Sequence, residues 1–329
     1  MTRRDLITLL GGVLAALPHI AHAQPVRRTP RIGVLWHAAS AEEEATYLGA
    51  LRQGLIDLGY FEGRTITLEN RFPAERPERF MSMAVELATS KVDVLVAVTR
   101  LAALAAQRAT TTIPVVFVVV PDPVGSKLVN SLARPGGNIT GLTNIAAELN
   151  AKRLEYLKEA MPALKRVALL VNANDPDGSR RYIDESEAAA TVLGLILQPV
   201  ETRSLEDLER AFDTIVKARL QAVVVPADGL FFQGRAVIAK SALARRLPAI
   251  VYSRETLEAG ALMSYGPSHL AIFRRAAFYI DKLLKGAQPS ELPVEQPTTF
   301  EFLVNLKTAR GLAFTVPKSL LQRANSVIE

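Results

Sequence analysis

Cysteine is absent from all 329 residues of the sequence. Disulfide bonds, thiolate metal sites and cysteine nucleophiles are therefore excluded. Histidine is also scarce, and only His37 and His269 lie outside the N-terminal segment. Two histidines so far apart match no recognised zinc-binding spacing. We expect neither a metal site nor a cofactor.

The sequence also lacks the short motifs that mark common enzyme sites. It contains no Gly-x-Ser-x-Gly elbow, no Gly-x-Gly-x-x-Gly turn after the first predicted strand and no Gly-x-x-x-x-Gly-Lys-Ser/Thr loop. Asp122 and Asp228 could form a carboxylate pair for acid–base chemistry, but no defined spacing brings them together. We therefore expect that the protein is not an enzyme.

Only one segment near the start of the chain is apolar over a long stretch. Residues 6–17 follow Arg3 and Arg4 and precede Ala21-His22-Ala23. A charged start, a short apolar core and small residues at the exit are typical of a secretory signal. The core is shorter than the ~20 residues of a membrane span. We predict a signal peptide over residues 1–23 and a soluble periplasmic product.

The type of signal stays open, because paired arginines fit both a twin-arginine signal and an ordinary charged start. No cysteine follows the cleavage point, so we do not expect a lipoprotein. The formal net charge of +6 comes from basic residues that are scattered along the chain. Nucleic-acid binders usually gather such residues on one face, so nucleic acid is not an expected partner.

The body of the chain alternates Val/Ile/Leu-rich strands with amphipathic helices, which predicts parallel sheets covered on both faces. In the first half the predicted strands are 31–36, 65–70, 92–98 and 115–120, and the predicted helices are 42–58, 78–90 and 101–109. In the second half the predicted strands are 166–172, 195–200, 222–225 and 249–252, and the predicted helices are 180–193, 204–218 and 231–246. Ser204 is the predicted N-cap of its helix.

This repeated order predicts an α/β protein with two doubly wound, Rossmann-like lobes and a cleft between them. The Gly-containing turn at 134–141 is interpreted as a crossing between the lobes. We assign residues 30–142 and about 267–295 to lobe 1, and residues 143–266 and about 296–329 to lobe 2.

Ligands of open parallel sheets bind outside the carboxyl ends of the strands, so the residues that follow each strand are candidates for ligand contact. The predicted ligand-binding residues are Trp36, His37, Thr99, Arg100, Asp122, Thr143, Asn144, Asn172, Asn174, Asp228, Tyr252 and Tyr265. Such a set suits a small zwitterion. Structural roles stay open for several of them: Trp36 as core, Asn172 in its own turn, and Asp228, like Asp175, as a helix cap.

Four longer motifs resemble one known family. They are Asp122-Pro123-Val124-Gly125 with the segment 131–141, the segment 260–266, the segment 292–298 and the closing segment 305–309. In these the chain is similar to the ABC transporter substrate-binding proteins of the tryptophan/tyrosine-type group. The resemblance implies a type I periplasmic-binding-protein fold with three interlobe crossings, a hinge and a cleft that closes on its ligand. It also implies permease and ATPase partners in the inner membrane, and we expect a monomer.

The expected function is therefore the periplasmic solute-binding component of an ABC-type importer, for an amino-acid-like or carboxylate solute. Two alternatives are a ligand-sensing module for a membrane receptor and an exported α/β enzyme. Arg100 departs from the family, in which small hydroxyl residues are usual at this position. If Arg100 faces the cleft, the solute would carry an extra carboxylate; if it faces solvent, nothing changes.

Overall fold

The computed structural model describes residues 28–329, so the predicted signal peptide lies outside the described residues. In chain order the strands are β1 (Arg31–Leu35), β2 (Thr67–Arg71), β3 (Val94–Val98), β4 (Val115–Val120), β5 (Ile139–Thr143), β6 (Arg166–Asn172), β7 (Ile196–Thr202), β8 (Ala222–Val224), β9 (Ala249–Val251), β10 (Met263–Pro267), β11 (Phe300–Asn305) and β12 (Ser326–Ile328). None of the helices within this range is long and apolar enough to cross a bilayer.

Helices connect most of these strands. They are α1 (Ala45–Asp57), α2 (Pro77–Thr89), α3 (Arg100–Ala109), α4 (Leu149–Ala160), α5 (Pro176–Val192), α6 (Asp207–Lys217), α7 (Gly229–Gln233), α8 (Arg235–Ala244), α9 (Arg254–Glu258), α10 (His269–Leu284), α11 (Leu306–Gly311) and α12 (Lys318–Arg323). A 3₁₀ turn at Pro289–Glu291 precedes the last crossing between the sheets.

The strands form two sheets with matching plans. The first has the order β2-β1-β3-β4-β5 and the second has the order β12-β11-β10-β9-β8-β6-β7. Within the second, β7-β6-β8-β9-β10 repeats the order of the first, and every pairing in this unit is parallel. The prediction of two α/β units with mostly parallel sheets is confirmed. An antiparallel pairing of β10 with β11 extends the second sheet.

Continuous apolar composition explains the central strands of the first sheet. Every residue of β3 and β4 is buried, because helices cover both faces. Helices α1 and α10 pack against each other on one face, and α2 and α3 lie together elsewhere on this sheet. We call this sheet with α1, α2, α3 and α10 the first lobe, and the second sheet with the remaining helices the second lobe.

Helix α10 returns the chain from the second sheet to the first lobe. It follows β10 of the second sheet, yet it packs most extensively against α1. Gly54 permits this close approach, since a Cβ atom there would lie 2.3 Å from the carbonyl oxygen of Arg274. The chain then returns past β5, where the amide of Thr143 donates to the carbonyl of Glu295 at 3.0 Å. Three neighbouring segments therefore connect the lobes.

Several predicted elements differ from those observed. The predicted crossing at 134–141 ends in strand β5, in which Gly141 lets the backbone approach Phe117, whose carbonyl oxygen would lie 2.0 Å from an added Cβ. Helix α4 was not predicted from the sequence. The predicted helix 231–246 is divided at Gly234 into α7 and α8.

The predicted cap at Ser204 is wrong, because α6 begins at Asp207 with Glu206 as its N-cap. The carboxylate of Asp207 instead accepts a hydrogen bond from the amide of Arg203 at 2.9 Å. Residues 204–206 precede the helix and do not belong to it. Asp207 therefore lies in the first turn of α6 and does not complete a capping box with Ser204.

Candidate functional site

A cavity of about 150 Å³ lies between the two lobes. Its walls come from the carboxyl ends of strands in both sheets, as expected for open parallel sheets. The residues that line it are His37, Tyr47, Glu75, Val98, Thr99, Arg100, Leu101, Val119, Pro121, Asp122, Gly125, Ser126, Asn144, Ala147, Asp175, Asp177, Gly178, Arg181, Tyr182, Ala227, Asp228, Gly229, Phe232, Tyr252, His269 and Phe273.

Aromatic rings form one side of the cavity. Tyr47 of α1 stacks on Phe273 of α10 with ring centroids 4.7 Å apart, and it contacts Phe232 of α7 at 5.1 Å. Tyr252 lies 5.5 Å from the ring of His269. These rings come from both lobes, so a flat or apolar ligand group would meet aromatic surface from both sides.

His37 lies between two buried glutamates. Its Nε2 atom is 2.9 Å from Glu44 Oε1, and its Nδ1 atom is 3.2 Å from Glu75 Oε1. Burial alone lowers the pKa of His37, but the charges of Glu44 and Glu75 and their contacts with the ring raise it to about 10. The ring is therefore an imidazolium at neutral pH, with its charge compensated on both edges.

Asp228 has no such compensation. Its carboxylate accepts hydrogen bonds from the amide of Leu230 at 2.8 Å and from Asn172 Nδ2 at 3.1 Å. Within residues 28–329 no basic side chain forms an ion pair with it. Burial, together with the negative charges of Glu75 and Asp175, raises the pKa of Asp228 to about 7. The group caps α7, as the sequence allowed, and it also faces the cavity.

Arg100 spans the cavity from the first lobe to the second. Its Nε atom donates to Ser126 Oγ at 2.9 Å, and its Nη1 atom donates to Asp175 Oδ1 across the gap. Its Nη2 atom lies 3.8 Å from the exposed carboxylate of Asp177. Of the two orientations considered from the sequence, the side chain has the one that faces the cleft, and its charge is already paired.

Asp175 has two roles in this arrangement. It is the N-cap of α5 and accepts a hydrogen bond from the amide of Gly178 at 3.2 Å, while it also pairs with Arg100. Burial raises the pKa of Asp175, although the Arg100 charge opposes that shift. The cap role that the sequence left open for Asp175 is therefore observed, and the ion pair adds a link between the lobes.

Seven of the predicted ligand-binding residues line the cavity. They are His37, Thr99, Arg100, Asp122, Asn144, Asp228 and Tyr252. Asp122 accepts a hydrogen bond from the amide of Gly125 at 2.8 Å, and it forms no ion pair among the described residues. Thr99 directly precedes α3, lines the cavity and has a φ of 77°. This left-handed backbone conformation is strained for a residue other than glycine.

The other five predicted residues lie outside the lining, and two of them belong to the core or a crossing. Trp36 is fully buried, donates to Asn70 Oδ1 at 2.8 Å and stacks on Phe273 with centroids 5.7 Å apart. Thr143 donates to the carbonyl of Pro121 at 3.1 Å. Both side chains are therefore turned away from the cavity by local packing.

The remaining three support the second lobe. Asn172 accepts from the amide of Asn174 at 2.9 Å and donates to Asp228, so it positions that carboxylate from behind. Asn174 donates to the carbonyl of Arg203 at 2.6 Å. Tyr265 packs against Tyr156 with ring centroids 5.3 Å apart.

Sequence reasoning missed several lining residues, of which Glu75 matters most. It lies in the loop after β2, where the strand-end argument had been applied to other strands but not to this one. Tyr182 was missed because it lies within a helix rather than after a strand; its hydroxyl donates to the carbonyl of Ala227 at 2.7 Å. His269 was missed because a histidine was weighed only as a possible metal ligand. Burial in the cavity wall lowers its pKa to about 4.

Two parallel-sheet lobes, joined by three neighbouring segments and enclosing a polar and aromatic cavity, define the type I periplasmic-binding-protein fold. The chain belongs to the family described as ABC transporter substrate binding protein, which matches residues 37–328. The fold and family predicted from the motifs are therefore confirmed.

Individual relatives agree with this placement. The chain is 25% identical over 262 residues to a tyrosine-binding protein of Clostridioides difficile, an alignment that covers 79% of this chain and 74% of that protein. A structure from Streptococcus pneumonia in complex with L-Trp matches with a TM-score of 0.83 and 25% identity, over 92% of this chain and 100% of that one. A ligand-free, open substrate binding protein from Clostridium difficile matches with a TM-score of 0.64 and 22% identity, over 91% and 99%.

Proposed function

We propose that this chain is the periplasmic solute-binding component of an ABC-type importer and that its cargo is a small amino-acid-like solute. The observation that carries the proposal is the cavity between the lobes, which combines aromatic rings with ionised side chains. An amino acid with an apolar side chain presents the matching groups. The similarity to a tyrosine-binding protein and to an L-Trp complex supports the same class of cargo.

Hinge closure around the solute is the proposed mechanism. Tyr47 of the first lobe donates to Glu255 Oε2 of the second at 3.0 Å, and Gln233 of the second donates to Glu43 Oε2 of the first at 3.2 Å. With the Arg100–Asp175 pair, these contacts link the lobes across the cleft.

The segment 1–23 would direct export to the periplasm, and permease and ATPase subunits in the inner membrane would release the solute and supply the energy. We propose that the protein acts as a monomer. We further propose the lobe boundaries 30–142 with about 267–295, and 143–266 with about 296–329, because α10 packs on α1 whereas β10 and β11 pair in the second sheet.

Isothermal titration of the purified chain against the twenty amino acids tests the proposal, with thermal unfolding as a second readout. A cognate solute at one hundred times its Kd stabilises the folded state by about 2.7 kcal/mol, which raises the Tm measurably. Flat titrations and unchanged Tm values for every amino acid would contradict the proposal. Chemical turnover of a bound solute, followed by mass spectrometry, would favour the enzyme alternative instead.

A further inference from the structure

The charged groups around the cavity are unequally paired. Five carboxylate side chains line it, from Glu75, Asp122, Asp175, Asp177 and Asp228, and they outnumber the cationic side chains. The cationic ones are His37, Arg100 and Arg181, because His269 is neutral at pH 7. Negative charge is therefore in excess before any ligand enters, which favours a ligand that brings positive charge.

Each cationic group of the lining already has a carboxylate partner. His37 lies between Glu44 and Glu75, and Arg100 pairs with Asp175. Arg181 Nη2 lies 3.1 Å from Glu148 and 3.0 Å from Glu185. A carboxylate on the ligand would therefore have to compete with a resident carboxylate for every cation of the lining.

Arg153 is a buried guanidinium that pairs with no carboxylate of the described residues, and it adds no cation that a ligand in the cavity could contact. It lies behind the wall of the second lobe, where it donates to the carbonyls of Tyr265 at 2.9 Å and Ala146 at 3.0 Å. It is fully buried and is not part of the cavity lining. Its role is to hold the segments that connect the lobes.

The carboxylates show the opposite situation. Among the described residues, the groups that donate hydrogen bonds to Asp228 are neutral ones, Asn172 and the amide of Leu230. Glu75 of the first lobe lies beside it in the cavity wall, and its Oε1 atom would lie 1.8 Å from a Cβ atom at Gly229, directly after Asp228. The Nδ1 atom of His37 would lie 2.9 Å from the same Cβ atom, but the charge of this ring is already compensated by Glu44 and Glu75. A carboxylate that forms no ion pair within residues 28–329, next to a second carboxylate and close to aromatic rings, is a favourable place for an ammonium group.

We infer that the cleft recognises its cargo mainly through a primary ammonium group, which Asp228 binds with the support of Glu75, and that the ligand carboxylate adds little. This inference rests on the proposed function and states which groups of the cargo are recognised: an ammonium group and an aromatic or apolar group. It also replaces the idea of an extra carboxylate at Arg100, whose charge Asp175 already compensates.

Matched ligand sets separate the two kinds of recognition. The probes are L-tryptophan, tryptamine and indole-3-lactate; L-tyrosine, tyramine and 4-hydroxyphenyllactate; and L-leucine, isoamylamine and 2-hydroxyisocaproate. In any set that binds, isothermal titration should give the amine a Kd within about tenfold of that of the amino acid, whereas the hydroxy acid should bind about one-hundredfold more weakly, the loss expected for a missing charge-assisted bond.

The possible outcomes are distinct. A hydroxy acid that binds as well as the amino acid, or an amine that fails to bind when its amino acid does, would overturn the inference and leave the proposed function intact. No binding by any of the nine probes, with no binding by the remaining amino acids, would overturn both.

A matched pair of variants assigns the ammonium group to its partner. Asp228→Asn keeps an N-cap side chain for α7 but removes the charge, so the Kd of the amine should rise by about tenfold or more. Asp207→Asn is the control, because Asp207 also accepts a backbone hydrogen bond but lies away from the cavity. Equal Kd values for Asp228→Asn and wild type, measured on folded protein, would contradict the assignment.

Discussion

Arg100 and Asp175 form an ion pair that joins the lobes at the cavity. Arg100 is the first residue of α3 in the first lobe, and Asp175 caps α5 in the second. Both side chains are largely buried, with exposed fractions of 14% and 9%. Such a pair costs desolvation energy and contributes only when both partners are present. Because its partners come from different lobes, we expect the pair to assist the lobe closure proposed above.

A double-mutant cycle measures this link. Arg100→Gln and Asp175→Asn, of which the second retains a cap for α5, should each weaken binding of the best amine probe by about tenfold, because closure is less favourable. The double variant should be no weaker than the worse single variant. A coupling energy between about 0.5 and 3 kcal/mol, from Kd values measured by titration, is the expected result. Fully additive effects would show that the pair does not assist closure.

His37 should make the free energy of unfolding decrease as the pH becomes alkaline. Its pKa is about 10 in the folded chain and about 6.5 in unfolded peptides. Because the folded state raises the pKa, the stabilisation is complete below pH 6.5 and is lost as pH rises through 10. His37→Gln should lower the free energy of unfolding by about 3–5 kcal/mol at pH 6.5, and the difference from wild type should shrink towards pH 10.

Urea unfolding between pH 6.5 and 10 checks this behaviour. His269→Gln is a matched control, because His269 is also buried in the cavity wall but has a pKa of about 4. Its effect on the free energy of unfolding should be constant over the same range. A constant difference between wild type and His37→Gln would show that the ring carries no charge in the folded protein.

Asp228 should destabilise the protein when no ligand is bound. Its pKa rises from 3.8 to about 7 on folding, so ionisation of Asp228 lowers the free energy of unfolding. This destabilisation is absent below pH 4 and complete above pH 7. Asp228→Asn should therefore raise the Tm of the ligand-free protein at pH 8 by at least about 2 °C, while it weakens binding of the amine. At pH 4 the two Tm values should agree. A lower Tm at pH 8 would contradict this reading of the site.

The same titration predicts how binding changes with pH. An amine ligand needs the ionised carboxylate of Asp228, and the fraction of ionised groups in the ligand-free protein falls below about pH 7. The Kd of tryptamine or tyramine should therefore rise as pH falls from 8 to 6, although both amines stay protonated. Titration calorimetry across this range, with Asp228→Asn as the variant that should lose the dependence, measures the effect.

The fold was predictable where local composition decided the structure. Strand β3 was found because its apolar run can only be buried on both faces. Strand β5 was missed because the short segment contains Gly141, which reads as a turn in sequence but serves a close backbone contact with Phe117. That contact involves residues distant in sequence, so no local pattern reveals it.

The sequence predicted which strand ends surround the cavity, but not which side chains there point into it. Trp36 and His37 are neighbours after β1, yet the first is packed in the core and the second faces the cavity. Successive side chains of an extended segment point to opposite sides, and the sequence alone does not say which side is which. The pairing of Arg100 with Asp175 also depends on how the lobes meet, which no single segment encodes.

The α1–α10 contact gives a test of how the returning helix is held in the first lobe. In Gly54→Ala the new Cβ atom would lie 2.3 Å from the carbonyl oxygen of Arg274, which is backbone and cannot move aside alone. The helices must separate, so the free energy of unfolding should fall by about 1–3 kcal/mol in urea titrations. Gly49→Ala, in the same helix but exposed and with no atom within 4 Å of the new Cβ, should gain about 0.5–1 kcal/mol from helix propensity. If Gly54→Ala raises the urea midpoint as Gly49→Ala does, the close contact with Arg274 does not limit the packing of α10.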